Sequence, residues 1–316
     1  MNIDLDIDYN SASDIMLYVL GLLFGGQVAV ALLGRFLRTQ QALDKLRATS
    51  LRLRGWWAVF AAVAVASLIG DIALTVLFMI TSFLALREFV TMAPTSRGDH
   101  RALFWSFFAI VPVQYFLVAR GEITAFSVFI PVYCFLFLSL RIALAGDYDR
   151  FLKRTATVQW GLIACVYCVS HVPALFALTG DFNGEMLLLY LVVVVQVADG
   201  FQNLFGTFLG RTPLLFSPNP HATWEGMLGG FVAAIVTGLV LAPATPFTAP
   251  ESAAIALGLA LLGGSGRMVM SAVKRGRGVR YAGVLIEGHG GVLDRVDSLV
   301  FAAPVFFHFM ATYYQR

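Results

Sequence analysis

The sequence predicts an all-α polytopic integral membrane protein with about ten transmembrane helices. Of its 316 residues, 59% are hydrophobic and only 13% are charged. Soluble domains carry about 25% charged residues, so an ordinary soluble fold is excluded. The mean hydropathy is +0.78. Ten apolar runs are long enough, or nearly long enough, to cross a hydrocarbon core of about 30 Å.

The ten candidate spans follow one another along the whole chain. They cover residues 13–34, 56–70, 72–91, 103–120, 123–144, 157–178, 185–203, 226–245, 252–272 and 298–314. Only Gly70 and Asp71 separate the second span from the third, which predicts a tight helical hairpin. The chain contains no internal repeat. We therefore expect an N-terminal span with a basic cytoplasmic loop (1–55), followed by one membrane domain (56–316).

The basic residues predict how the spans are oriented. Arginine and lysine concentrate in connections such as 35–54 and 145–156, and only Arg120 and Arg316 fall on the opposite side. By the positive-inside rule, the basic connections face the cytoplasm. With ten spans, both termini then lie outside.

The three cysteines do not indicate a metal site. Cys165 and Cys168 have the spacing of a metal or redox motif. They and Cys134 lie in apolar runs without a histidine at ligand spacing, so we interpret them as small apolar helix residues.

Nearly all residues suited to catalysis lie in two polar connections, 204–225 and 273–297, and in the spans before them. The predicted topology puts both connections on the cytoplasmic face, so they can form one site. The first block contains Asp199, Asn203, Ser217, Thr223 and Glu225. The second block contains Arg267, Lys274, Arg275, His289, Gly290, Gly291, Asp294, Arg295 and Asp297.

These residue types suit a reaction between phosphate groups. Asp294 and Asp297 lie three residues apart, on one helical face, and supply the hard oxygen ligands that Mg²⁺ prefers. Lys274 offers a point charge for phosphate and Arg275 a planar fork. The glycines around His289 allow the backbone to approach a nucleotide closely.

Structural explanations remain open for several of these residues. The basic residues after the ninth span could anchor the topology beside anionic lipid head groups. Asp294 and Asp297 could form a structural cluster with Arg295. Asp199 could sit at the membrane interface, although a carboxylate in an apolar span usually indicates function. His171 and His308 are lone histidines in apolar spans, and we expect them to be packed structural groups.

The two blocks resemble the signature of the CDP-diglyceride synthetases, or phosphatidate cytidylyltransferases. From Ser271 to Asp297 the chain follows that family's pattern S-x-x-K-R-x4-K-D-x-G-x2-L-P-x-H-G-G-x2-D-R-x-D with the same spacing. The stretch from Asp199 to Gly230 is similar to the family's D-x2-A-Y-x2-G-x3-G-K followed by S-P-K-K-T-W-E-G-x2-G-G. The resemblance covers about the last 120 residues.

The resemblance implies an enzyme of phospholipid biosynthesis. Residues 56–316 would form a cytidylyltransferase-like membrane domain that makes CDP-diacylglycerol and pyrophosphate from CTP and phosphatidic acid. Asp294 and Asp297 would hold Mg²⁺. The other catalytic residues would be Lys274, Arg275, His289, Arg295 and Arg267. The substrate-binding residues would be Asp199, Asn203, Ser217, Thr223, Glu225, Gly290 and Gly291.

The resemblance also implies partners and a location. We expect CTP, phosphatidic acid and the lipid bilayer as partners, together with a second copy of the chain in a homodimer, and no nucleic acid. The protein would lie in the cell (inner) membrane with its active site facing the cytoplasm.

The chain departs from the family pattern at several positions. The family usually carries an aspartate four residues before the signature serine, at a position thought to share metal binding, and Arg267 stands there. The other replacements are Arg280-Tyr281 for Lys-Asp, Glu287 for proline, His221-Ala222 for Lys-Lys and Gln202-Asn203 for Ala-Tyr.

Two interpretations of these departures follow. In the first, the guanidinium of Arg267 takes over part of the charge neutralisation of an ion, and Glu287 or Asp199 replaces a lost carboxylate. In the second, the chain has lost transfer activity or acts on another lipid phosphate or nucleotide. We favour the first because the remaining signature residues are intact. A membrane carrier is a third alternative, which the lack of repeated halves disfavours.

Overall fold

The computed structural model describes residues 59–93, 96–178, 184–214, 222–279, 282–283 and 290–313, and the single positions 21, 50, 55 and 57. These residues are helical, apart from turns and one isolated β-bridge between Pro213 and Thr223. The apolar helices are α1 (Val59–Ile69), α2 (Asp71–Met92), α3 (His100–Ala119), α4 (Ile123–Ala143), α5 (Phe151–Ala177), α6 (Gly184–Phe208), α7 (Trp224–Ala244), α8 (Ala249–Gly276) and α10 (Leu299–Tyr313). A one-turn helix, α9 (Leu293–Val296), precedes α10.

The apolar helices lie where the second to tenth spans were predicted. Seven of them, α2 to α8, are long and apolar enough to cross a membrane, and α1 and α10 are shorter. The first predicted span, 13–34, lies outside the described residues except for position 21. The all-helical integral membrane fold is therefore confirmed, while the count of ten spans and the domain boundary at residue 55 stay predictions.

Two helices continue beyond the ends that the apolar pattern predicted. Helix α6 runs to Phe208 and α8 to Gly276. A helix keeps its backbone hydrogen bonds where side chains turn polar, whereas an apolar pattern ends there. Asp199 consequently lies inside α6, about 14 Å before its end. Lys274 and Arg275 lie in the last turn of α8, so the prediction that they belong to a loop was wrong.

The predicted hairpin between the second and third spans is confirmed. Gly70 separates α1 from α2 with a φ of +122°, which glycine adopts more readily than other residues. At the other end of the hairpin, Gly55 lies against the guanidinium of Arg295. Glu88 of α2 binds the backbone of residues 292–293. Both arms of the hairpin therefore end beside the segment that contains the signature aspartates.

Helix α6 forms the centre of the bundle. All residues from Met186 to Gln196 are buried, as expected for a helix surrounded by protein. Glycines allow α7 to lie directly against it. A Cβ atom at Gly226 would stand 2.6 Å from the carbonyl oxygen of Gln202, and one at Gly230 would stand 2.8 Å from that of Ala198. These two motif glycines therefore serve close helix packing.

His171 is packed in the core, as predicted, whereas His308, which contacts it, is exposed on the surface of α10. Their ring centroids are 5.3 Å apart, and His171 is fully buried. Phe126 and Phe307 pack edge-on against His171, with centroid distances of 5.0 and 5.3 Å. The described contacts of His171 are therefore those of a structural residue.

A buried ion pair joins α5 to the turn before α3. The Nη2 atom of Arg154 lies 2.7 Å from Oδ1 of Asp99, whose side chain is 1% exposed. Nη1 of Arg154 donates hydrogen bonds to the carbonyl oxygens of Asp147 and Asp149, both at 3.1 Å. Burial favours a higher pKa for Asp99, but the hydrogen bonds from Arg154 and Ser96 outweigh it and hold the pKa below its ordinary value. Arg154 thus fixes two helices instead of only marking the topology.

The ion pair yields a stability prediction. Asp99→Asn should lower the free energy of unfolding by about 3 kcal/mol, because it leaves the buried guanidinium of Arg154 without its main partner. Denaturant unfolding in detergent micelles measures the change. The control is Asp149→Asn, whose exposed pair with Arg150 spans 4.0 Å and should contribute less than about 1 kcal/mol. Equal effects of the two changes would contradict a structural role for the buried pair.

The topology yields a second prediction. In Arg277→Cys, after α8, the thiol should react with an impermeant reagent only after cells are permeabilised. In Glu122→Cys, between α3 and α4, the thiol should react in intact cells, because the positive-inside rule predicts that the basic connections face the cytoplasm and this one the outside. The native cysteines 134 and 165 are buried, which limits background labelling. Labelling of position 277 in intact cells would refute the orientation.

Candidate functional site

Lys274 is the centre of the candidate site. Its Nζ atom contacts Oδ1 of Asp294 and lies 3.9 Å from Oδ2 of Asp297. The three side chains are at most 11% exposed, so the attraction between their charges is only weakly screened by water. The structure thus brings together three of the residues that the sequence pattern indicated.

The two aspartates differ in how their oxygens are used. Oδ2 of Asp294 accepts hydrogen bonds from the backbone N–H groups of Ala282 and Gly291, both at 3.0 Å. Asp294 therefore binds Lys274 and also holds the segment that follows α8. Asp297 accepts a backbone hydrogen bond from Ser298, and burial raises its pKa to about 6 although Lys274 opposes the rise.

Glu88 of α2 completes this cluster, and the sequence pattern did not single it out. Its Oε1 atom accepts a hydrogen bond from the N–H of Val292 at 2.9 Å, and Oε2 accepts one from Leu293 at 2.8 Å. The side chain is only 6% exposed. The available signal was a lone carboxylate near the end of an apolar span, the same signal that drew attention to Asp199.

Arg267 connects α8 to α6 beside the Lys274 cluster. Its Nη1 atom pairs with the carboxylate of Asp199, and Nη2 donates to Oε1 of Gln202. Arg267 and Gln202 both depart from the family pattern, so two of the departures are in direct contact. Asn203 donates to the carbonyl oxygen of Asp199 at 2.8 Å, a bond within α6. Asp199 is thus neutralised by Arg267 in this structure.

Thr223 and Glu225 stabilise the connection between α6 and α7. Oγ1 of Thr223 accepts a hydrogen bond from the N–H of Gly226 at 3.2 Å and so caps α7. The carboxylate of Glu225 accepts hydrogen bonds from the backbone N–H and the hydroxyl of Thr212, at 3.1 and 2.9 Å. These contacts are structural, and binding of substrate by either residue stays a prediction.

The remaining predicted residues lie at the edge of the cluster or outside the described residues. Arg275 is exposed at the end of α8. The carbonyl oxygen of Arg295 accepts a hydrogen bond from Gln196 at 3.4 Å. Gly290 has a φ of +87°, a conformation that glycine adopts readily, four residues before Asp294. Outside the described residues lie Ser217, His289 and Glu287.

The carboxylates decide whether the site fits a divalent ion. Among the described residues, no three His, Cys, Asp or Glu side chains converge on one point. Mg²⁺ commonly binds through one or two carboxylates and substrate phosphates, so Asp294 and Asp297 suit it. The oxygens of Asp199 and Glu88 already bind Arg267 and two backbone N–H groups. Those of Asp294 bind Lys274 and two backbone N–H groups, so a bound Mg²⁺ would share the oxygens of Asp294 with these donors.

Comparison with known proteins extends these observations. The cytidylyltransferase family matches residues 50–313. The uncharacterized protein YnbB of Escherichia coli is 34% identical over 295 residues, which are 92% of this chain and 97% of that protein. The phosphatidate cytidylyltransferase of Haemophilus influenzae is 35% identical over 139 residues, 40% of this chain and 46% of that enzyme. Phosphatidate cytidylyltransferase 5 of Arabidopsis thaliana is 36% identical over 129 residues, 40% of this chain and 32% of that enzyme.

The matched lengths show what these relatives establish. The chain spans less than half the length of the two named phosphatidate cytidylyltransferases, 46% and 32%, but nearly all of YnbB. The family match covers most of the chain and includes the Lys274 cluster and Glu88. The chain therefore belongs to the cytidylyltransferase family, as a divergent nucleotidyltransferase of the membrane.

Proposed function

We propose that this protein transfers the cytidylyl group of CTP to phosphatidic acid, producing CDP-diacylglycerol and pyrophosphate for phospholipid biosynthesis. The main support is the buried cluster of Lys274 with Asp294 and Asp297 at the end of a membrane helix. Family membership and relatives named phosphatidate cytidylyltransferase favour this reaction among nucleotidyl transfers.

The reaction makes two demands on the site. A phosphate oxygen of phosphatidic acid forms a bond to the α-phosphorus of CTP, and the bond from that phosphorus to the pyrophosphate oxygen breaks. Both reactants are anions, so the site must neutralise charge and hold the attacking and leaving oxygens in line. Cations and carboxylates can meet both demands without a covalent intermediate.

The described residues divide this work. The ammonium of Lys274 carries three N–H donors, of which Asp294 takes one, so it can also bind phosphate. Arg275, exposed in the same helical turn, offers a planar fork to a phosphate arriving at the membrane surface. Mg²⁺ held by Asp294 and Asp297 would supply further positive charge for the phosphates. The aspartates also keep Lys274 in place.

The proposal includes the surroundings of the site. Following the positive-inside rule, we propose that the site lies at the cytoplasmic face of the cell membrane, where it can take CTP from the cytoplasm and phosphatidic acid from the bilayer. We propose that the protein works as a homodimer, as the family resemblance implies. We also propose the roles that the resemblance implies for five further residues. These are catalysis by His289 and Arg295, and substrate binding by Ser217, Gly290 and Gly291.

A transfer assay tests the proposal. Purified protein in detergent, given labelled CTP, phosphatidic acid and Mg²⁺, should form labelled lipid. Asp297→Asn should lower the rate more than about a hundredfold, because loss of a metal ligand removes several kcal/mol of transition-state stabilisation. The exposed Asp149→Asn serves as the control. Wild-type rates in Asp297→Asn would reduce Asp297 to a structural partner of Lys274, and no labelled lipid from wild type would refute the function.

A second series addresses the departure at Arg267. If its guanidinium replaces an ion beside Asp199, Arg267→Ala should lower the rate at least about tenfold, because Asp199 loses its counter-charge. Arg267→Lys keeps the charge and should retain more activity. Arg267→Asp places a carboxylate beside Asp199, so its activity should return only at raised Mg²⁺ concentration.

The same series distinguishes the alternative that the chain has lost transfer activity or uses another lipid phosphate. In that case wild type and Arg267→Ala should both lack CDP-diacylglycerol formation. An Arg267→Ala variant as active as wild type would remove Arg267 from the mechanism.

A further inference from the structure

Two carboxylates, those of Asp294 and Glu88, accept hydrogen bonds from four backbone N–H groups, at residue 282 and at residues 291–293. Asp294 takes those of Ala282 and Gly291, and Glu88 takes those of the next two residues, 292 and 293. Asp294 directly follows the segment 291–293, whereas Glu88 lies on α2, 204 residues before Val292. Glu88 is therefore the carboxylate that attaches the segment to a separate helix.

The environment of Glu88 makes this attachment strong. A buried carboxylate is very unfavourable unless hydrogen bonds compensate its charge. With 6% exposure, Glu88 obtains that compensation from the N–H groups of Val292 and Leu293. Hydrogen bonds to an ionised group are roughly twice as strong as neutral ones. Moving the segment would therefore leave a buried charge with fewer donors.

Gly283 and Gly291 leave room for the side chain of Glu88. A Cβ atom at Gly283 would lie 2.7 Å from Oε1 of Glu88 and 2.9 Å from its carboxyl carbon. At Gly291, a Cβ atom would also collide with the Glu88 carboxylate. The carboxylate cannot move aside without leaving its two donors. The two glycines therefore provide the space in which Glu88 reaches the backbone.

We propose that Glu88 is a positioning residue for the transfer reaction. It holds the backbone at Leu293, and Asp294 is the next residue in the chain, so its hydrogen bonds set where Asp294 and Asp297 stand relative to Lys274. The expected effect on turnover rests on the proposed function. The expected effect on the segment itself does not.

Thiol accessibility tests the attachment without relying on activity. Ala282 is 6% exposed and its N–H binds Asp294, so Ala282→Cys should react slowly with a maleimide in detergent-solubilised full-length protein. Cys134, Cys165 and Cys168 are replaced by alanine in this background. Adding Glu88→Gln should raise the labelling rate at least about fivefold. The glutamine NH₂ group is a donor, so the N–H of either Val292 or Leu293 loses its acceptor. Glu122→Gln, an exposed carboxylate, is the matched control. An unchanged rate in Glu88→Gln would overturn the proposal.

Kinetics separate positioning from general stabilisation. Glu88→Gln should lower kcat at least about tenfold per folded molecule with KM for CTP little changed, because misplaced groups act mainly on the transition state. Glu88→Asp retains two acceptor oxygens and should recover part of the loss. If kcat per folded molecule stays at the wild-type value, Glu88 only supports folding. If wild type is inactive, the proposed function fails while thiol accessibility still decides the role of Glu88.

A double-mutant comparison tests the contact itself. In the Ala282→Cys protein that retains Glu88, Gly283→Ala should raise the labelling rate of the introduced thiol, because its Cβ atom collides with the carboxylate. In a Glu88→Ala background the same change should have little further effect, as expected for two residues in contact. Equal increases in both backgrounds would show that the effect of Gly283→Ala does not come from a collision with Glu88, and would count against the proposal.

Discussion

The structure of the site depends on the neutralisation of one buried lysine. Lys274 ends a membrane helix with little exposure to water, and an unpaired ammonium there would be strongly unfavourable. Asp294 supplies the opposing charge, and its second oxygen binds the backbone of residues 282 and 291. The ion pair therefore does more than balance charge. It attaches residues 282 and 291 to the end of α8 through Asp294, and Glu88 binds the backbone of residues 292 and 293.

Compensation of buried charge also accounts for the arginine at position 267. In the family pattern an aspartate stands at the position of Arg267, which would put two carboxylates near each other. Here the arginine pairs with Asp199 and also contacts Gln202, another departure from the pattern. The charge at position 267 is thus opposite to that in the family pattern, and the side chain of Gln202 provides an acceptor oxygen for the guanidinium. In a medium of low dielectric constant, such a change is tolerated only when the neighbours compensate it.

Part of the site could be predicted because its spacing is local. The pattern from Ser271 to Asp297 identified Lys274, Asp294 and Asp297, and all three meet in the structure. Glu88 was missed because its partners are backbone N–H groups 204 and 205 residues away, which leave no trace in side-chain patterns. The helix ends were misplaced for a related reason. Apolar content marks where lipid surrounds a helix, whereas backbone hydrogen bonds continue into polar surroundings.

The sequence by itself determined that the chain crosses a membrane as helices, where most of these helices lie, and that Lys274, Asp294 and Asp297 belong to one candidate site. Hydrophobicity and spacing are properties of neighbouring residues, and they suffice for those conclusions. Only the tertiary structure decided how the buried charges are compensated. Arg154 pairs with Asp99 and Arg267 with Asp199, whereas Glu88 accepts hydrogen bonds from a distant stretch of backbone. Those pairings depend on which helices pack together. That packing comes from the summed burial of many side chains and cannot be read from any single stretch of sequence.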